Sequence, residues 1–120
     1  MAVVASIFIY PDKDQPGQEL GSVSVSEEGL DGDRRKRAPV HLVTAAEFVA
    51  EHPRANLVLD MADEVLDELV GRRLRIGDVE LEVTSSAGDC PGVYAAVPVP
   101  GELSVDDLVT VETRDSAAER

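Results

Sequence analysis

Arg73-Leu74-Arg75-Ile76-Gly77-Asp78-Val79-Glu80-Leu81-Glu82-Val83 decides the fold class. Leu74 and Ile76 alternate with arginines, Val79, Leu81 and Val83 alternate with glutamates, and Gly77-Asp78 supplies a tight turn between them. Successive side chains of a strand point to opposite faces, so this pattern describes a β-hairpin with one buried face.

Outward from the hairpin the chain continues mostly as strand. On its N-terminal side, Val3 to Tyr10 is a β-branched and aromatic run closed by Pro11, and Pro11 to Gly17 is a polar turn. Leu20 to Ser26 alternates, with Leu20 out of phase with Val23 and Val25, and a bulge near Gly21 reconciles the two phases. Pro39 to Val43 is a short apolar run. Thr44 and Glu47 then form a capping box ahead of a short helix that Pro53 ends. Asn56 to Leu59 reads as a strand, and Ala62 to Leu69 as a second short helix with Leu66 and Leu69 facing inward, stopped by Gly71. On the C-terminal side, Ser85 to Gly92 is a small-residue loop carrying Cys90, and Val93 to Val99 and Leu108 to Thr113 are closing strands. The expectation is a mainly β, barrel-like fold with two short helices, in which the sheet hides its edges by closing. Residues 1–113 form the single domain and 114–120 a polar tail.

Composition bounds the function. A chain of 120 residues is long enough to bury roughly two thirds of its unfolded surface. There is no Trp and only two Phe and two Tyr, so Val, Leu, Ile and Ala must build the core. One cysteine closes no intramolecular disulfide and supports no structural zinc site, and a reducing, cytoplasmic location is expected. No apolar run reaches the ~18 residues of a membrane span, and no membrane association is expected. Twenty-four acidic against 11 basic residues give a net charge of −13, which argues against nucleic acid as a partner. Seven of the basic residues nevertheless cluster as Arg34-Arg35-Lys36-Arg37 and Arg72-Arg73 with Arg75. If the fold joins the clusters they make a local anion site; otherwise they are solvated loop or edge charges.

Most catalytic signatures are absent: there is no P-loop, GxGxxG, HExxH or Gly-x-Ser-x-Gly pattern. Asp12-Lys13-Asp14 opens like a calcium loop, but Pro16 takes a ligand position and Val23 stands where the bidentate carboxylate belongs, so the segment reads as a turn. His41 and His52 lack a metal-ligand spacing and read as structural or solvated. Cys90 is the one soft ligand and strong nucleophile, able as thiolate to bind a metal ion or to accept sulfur as a persulfide. The neighbouring Asp89 disfavours the thiolate unless Arg34, Arg35 or backbone amides offset it.

Gly29-Leu30-Asp31-Gly32-Asp33-Arg34, the run Val40 to Ala50, Asn56-Leu57, Gly71 to Asp78, Cys90 and Gly92-Val93-Tyr94-Ala95-Ala96-Val97 occur in this order. Together they resemble the MOSC family, named for the C-terminal domain of molybdenum cofactor sulfurase, over about Val23 to Val111. The resemblance implies a β-rich barrel that binds the molybdenum cofactor (molybdopterin) or carries sulfur. It implies Cys90 as metal ligand or persulfide site, Arg34 as a phosphate or structural contact, and Arg35 and Arg37 as its neighbours in cofactor binding. Asn56 is then either a pterin contact or a side chain that pins the turn entering its strand. Gly29 and Gly32 serve backbone geometry, and Asp33 orients Arg34. A sulfur donor or redox partner protein is implied, with no oligomeric state. The sequence departs from the family where Arg35 replaces a histidine, where the helical segment usual after the cysteine is missing, and where Asp106-Asp107 replaces Gly-Asp. The alternatives are a small molybdenum-dependent oxidoreductase reducing N-oxygenated compounds, or a degenerate MOSC fold acting as a non-catalytic interaction module.

Overall fold

In the computed structural model, described for residues 2–12, 14–33, 39–51, 53–61, 66, 68–87 and 91–112, the alternating hairpin folds as its pattern predicts. Strands β7 (Arg73–Ile76) and β8 (Val79–Ser86) pair antiparallel, with Leu74 opposite Leu81 and Ile76 opposite Val79. Leu74, Ile76, Val79, Leu81 and Val83 are buried while Arg73 and Arg75 face solvent. β8 continues to Ser86, so the loop carrying Cys90 is shorter than the sequence suggested.

The other strands of the main sheet are β1 (Val3–Ile9), β2 (Gln18–Leu20), β5 (Val40–Thr44), β6 (Leu57–Asp60), β9 (Val93–Val99) and β11 (Val109–Val111), in the order β11-β7-β8-β9-β5-β6-β1-β2. β5 and β6 are parallel; the other pairs are antiparallel. The sheet curls into a half-barrel until β1 reaches the chain ahead of β11. There Val3 bridges Leu108, and Val109 N donates to Ala2 O at 2.9 Å. A second sheet, β10 (Gly101–Ser104), β3 (Ser22–Ser26) and β4 (Gly29–Leu30), in the order β10-β3-β4, contributes Val23, Val25, Leu30 and Leu103 to the same core.

Two expectations change. Gly21 is not a bulge within one strand: β2 pairs with β1 while β3 pairs with β10 and β4, so the phase change marks a crossing from one sheet to the other. The fold has one helix among the described residues, not two. That helix, α1 (Ala45–Glu51), carries the expected capping box, Glu47 N donating to Thr44 Oγ1 (3.1 Å) and Thr44 N to Glu47 Oε1 (3.0 Å). The helix expected over 62–69 falls mostly outside the described residues. Its described residues Leu66 and Leu69 are buried, and Leu69 N donates to Leu66 O (3.1 Å). A smaller apolar layer of Val43, Ala55 and Val58, with Phe8 and Phe48 against it, lies under α1 on the outer face of the sheet.

Candidate functional site

Asn56, at the entry to β6, is fully buried. Its main-chain N donates to His41 O (2.9 Å) and its main-chain O accepts from Phe8 N (2.8 Å). Its side chain extends the same pairing: Oδ1 accepts from His41 N (3.0 Å), and Nδ2 donates to Phe8 O (3.2 Å) and to Asp33 Oδ2 (3.1 Å). A carboxamide offers an acceptor on one side and two donors on the other, so it joins β5 to β1 where a carboxylate would meet two acceptors. These bonds fix the entry to β6 between β5 and β1.

Asp33 is held on both oxygens. Oδ1 accepts from Tyr10 N (2.7 Å) at the end of β1, and Oδ2 accepts from Asn56. The turn that delivers it starts at Gly29, whose φ of +122° and 2.6 Å approach of a notional Cβ to Pro39 O leave no room for a side chain. Arg34 follows Asp33 directly in the chain. Arg34, Arg35, Lys36 and Arg37 lie outside the described residues, as does His52.

The second motif loop joins β8 to β9. Ala87 N donates to Gly92 O (3.0 Å) across its base, and Gly92, at φ +90°, packs so tightly on β5 that a Cβ would stand 2.1 Å from Leu42 O. Pro91 O lies 2.8 Å from His41 Nε2. A carbonyl only accepts, so Nε2 carries the proton of this bond. The His41 ring, 7% exposed, packs 5.1 Å from the Tyr94 ring at a tilt of 59°, because the β5–β9 register sets His41 opposite Tyr94. Gly88, Asp89 and Cys90 lie outside the described residues. His41 is the residue whose part sequence reasoning missed: its alternation with Val40 and Leu42 assigns it a face, but only the register shows that this face meets Pro91.

The Gly29–Asp33 turn and the Pro91–Gly92 segment therefore attach to neighbouring positions. Asp33 is tied to Asn56, Pro91 to His41, and His41 and Asn56 exchange two hydrogen bonds. The second basic cluster takes no part in this junction. Arg73 and Arg75 reach Glu80 at 3.3 and 2.8 Å, and Arg72 Nη2 donates to Glu112 O (3.2 Å) on the β11 side of the sheet. A cleft of about 200 Å³ beside Asp33 is lined by Ser26, Glu28 and residues 29–33.

No protein-family model matches the sequence, and no curated protein does. Solved structures do resemble the fold. The YuaD protein of Bacillus subtilis superposes with a TM-score of 0.70 at 14% identity, covering 91% of this chain and 94% of that one. YiiM of Escherichia coli gives 0.68 at 15% identity over 93% and 70% of the two chains. YiiM of Geobacillus stearothermophilus gives 0.71 at 13% identity over 98% and 78%. The fold is MOSC-like.

Identities this low speak for the fold alone. Within the MOSC-like frame, a test of fit to the molybdenum cofactor rests on the residues beside Asp33. Their cleft of about 200 Å³ is below the ~300 Å³ at which small-molecule pockets begin. It is lined by Glu28, Asp31 and Asp33, whose charges oppose a phosphate. Among the described residues no group of three or more His, Cys, Asp or Glu side chains is placed to hold a metal ion. That cleft does not fit the cofactor, and Cys90, Arg34, Arg35 and Arg37, to which the resemblance assigns the metal and the phosphate, lie outside the described residues. Nor, among them, is any helix long and apolar enough to cross a membrane.

Proposed function

We propose that this MOSC-like domain is a sulfur carrier, with Cys90 as the persulfide site and Arg34 as the cation that favours its thiolate. The observation that supports the reading is the shared anchorage described above: Asp33, which precedes Arg34, and Pro91, which follows Cys90, are both tied to the His41–Asn56 pair. A soft thiolate suits the task, since it attacks and leaves readily in sulfur exchange.

In the step proposed, the Cys90 thiolate attacks the terminal sulfur of a donor protein's persulfide. The Cys90–sulfur bond forms, the donor's sulfur–sulfur bond breaks, and the donor leaves as a thiolate that takes up the proton. One sulfane sulfur changes hands, and no outside oxidant or reductant is needed. Delivery reverses the roles with an acceptor thiol.

The test is anaerobic incubation with a cysteine desulfurase and cysteine, followed by intact-mass analysis. Gain of one sulfur by wild type, abolished by Cys90→Ala and slowed about tenfold by Arg34→Ala, is the expected result. No gain under conditions that load an established carrier refutes it. The same preparations are offered molybdenum cofactor anaerobically. Stoichiometric binding lost in both variants would replace the carrier reading with cofactor binding, in which Cys90 ligates the metal and Arg34, Arg35 and Arg37 hold phosphate.

A further inference from the structure

We infer that His41 is a positioning residue for the cysteine loop, acting through its hydrogen bond to Pro91 O; the inference rests on the sulfur-carrier reading of Cys90. Three observations converge on it. The imidazole is almost wholly buried, so orienting it does not depend on solvent. Its neighbours fix its aim, with Tyr94 tilted against the ring and its main chain held by Asn56 on both N and O. Its Nε2 meets the carbonyl of Pro91, the residue directly after the cysteine, at 2.8 Å.

The tie adds to constraints that stop short of the cysteine. The bond from Ala87 N to Gly92 O closes the base of the loop, and Gly92 is wedged against β5, but on the C-terminal side of the cysteine both reach only as far as Gly92. The His41 bond is the described contact that reaches one residue nearer, to the Pro91 peptide. A proline already has its φ fixed, so holding its carbonyl as well leaves that residue little freedom and restricts how the cysteine's own peptide is presented. Sulfur exchange requires attack along the sulfur–sulfur axis, and a residue that narrows the orientations of the nucleophile raises the rate without touching the donor.

The experiment compares His41→Gln with His41→Met. In both glutamine and histidine, Nε2 stands three bonds from Cβ, so Gln keeps a donor at the same reach, while Met keeps the length and apolar packing without a donor. Sulfur loading of Cys90 from desulfurase and cysteine is read alongside amide exchange at Ala87. His41→Met is expected to load about fivefold more slowly and to exchange Ala87 about fivefold faster, the worth of one ordinary hydrogen bond. His41→Gln restores both to within about twofold of wild type. A folded His41→Met protein with wild-type loading and wild-type Ala87 exchange overturns the inference, and so does a Gln variant that fails like Met.

Where a variant does not fold, the wild type still decides. Nitrogen NMR of the imidazole must show a protonated Nε2 coupled through the hydrogen bond to the Pro91 carbonyl carbon, and an Nε2 without a proton at neutral pH overturns the inference. Should wild type accept no sulfur, the carrier reading fails by itself. The rate of Cys90 alkylation in the two variants then tests the positioning role, with Gln again matching wild type and Met departing from it by about fivefold.

Discussion

Tyr10 shows how one residue at the edge of the site ties its neighbours' charges to stability. Its main-chain N is held by Asp33, Arg54 lies 4.4 Å above its ring, and the same guanidinium donates to Gln15 O and Asp12 O, closing the turn over the ring. Phe8 continues the stack, 6.5 Å from Tyr10 and 5.3 Å from Phe48. Burial pushes the Tyr10 hydroxyl above the ordinary phenol range; Arg54 opposes that rise and Asp33 adds to it. For an acid with a raised folded pKa, the folded state binds more protons than the unfolded one once the unfolded chain begins to ionise. The contribution is therefore complete below about pH 10 and is lost as pH climbs through the folded value. Urea unfolding between about pH 8 and pH 11.5 should show stability falling above about pH 10, and Tyr10→Phe should flatten part of that fall. An identical alkaline decline in Tyr10→Phe would show that the ring's burial does not act through ionisation.

Among the elements, the entry to β9 is tightly specified, and Gly92 is the reason. Alanine there must adopt φ +90° and place a methyl against Leu42 O, a strand carbonyl engaged in the sheet and unable to rotate away. Gly92→Ala should lose ~2 kcal/mol or more in urea unfolding, with faster exchange at Ala87. A loss under about 0.5 kcal/mol would mean that the loop relaxes away from β5 without cost. Which elements were legible in the sequence follows the same logic of local against non-local constraint. The β7–β8 hairpin and the Thr44–Glu47 box are written in residues within a few positions of one another. The change of sheet at Gly21 and strand β10 were not, because Val23 and Leu103 become partners only when segments far apart in the chain pair. Gly101-Glu102-Leu103-Ser104 is too short to carry an alternation of its own.

For the molecule as a whole, the site was legible as a list of residues but not as an arrangement. The motif order drew attention to Asp33, Arg34, Asn56 and Cys90; the β1–β6, β5–β6 and β5–β9 registers make Asn56 and His41 the junction, and no local pattern encodes a register between strands. The arrangement is built on a strongly acidic body. With a net charge of −13 on a molecule 45 × 28 × 26 Å across, carboxylates repel one another over most of its dimensions when salt is low. Raising KCl from about 0.02 M to about 0.5 M shortens the screening length from about 20 Å to about 4 Å and removes most of that repulsion. Against this, the attraction of Arg73 and Arg75 for Glu80 is weakened too, but both arginines are about half exposed and such pairs contribute about 1 kcal/mol at most. The balance favours screening, so the thermal midpoint should rise by roughly 3–6 °C over that range. A midpoint that falls with added KCl would mean that these ion pairs outweigh the net charge, and Glu80→Gln would then abolish the salt dependence.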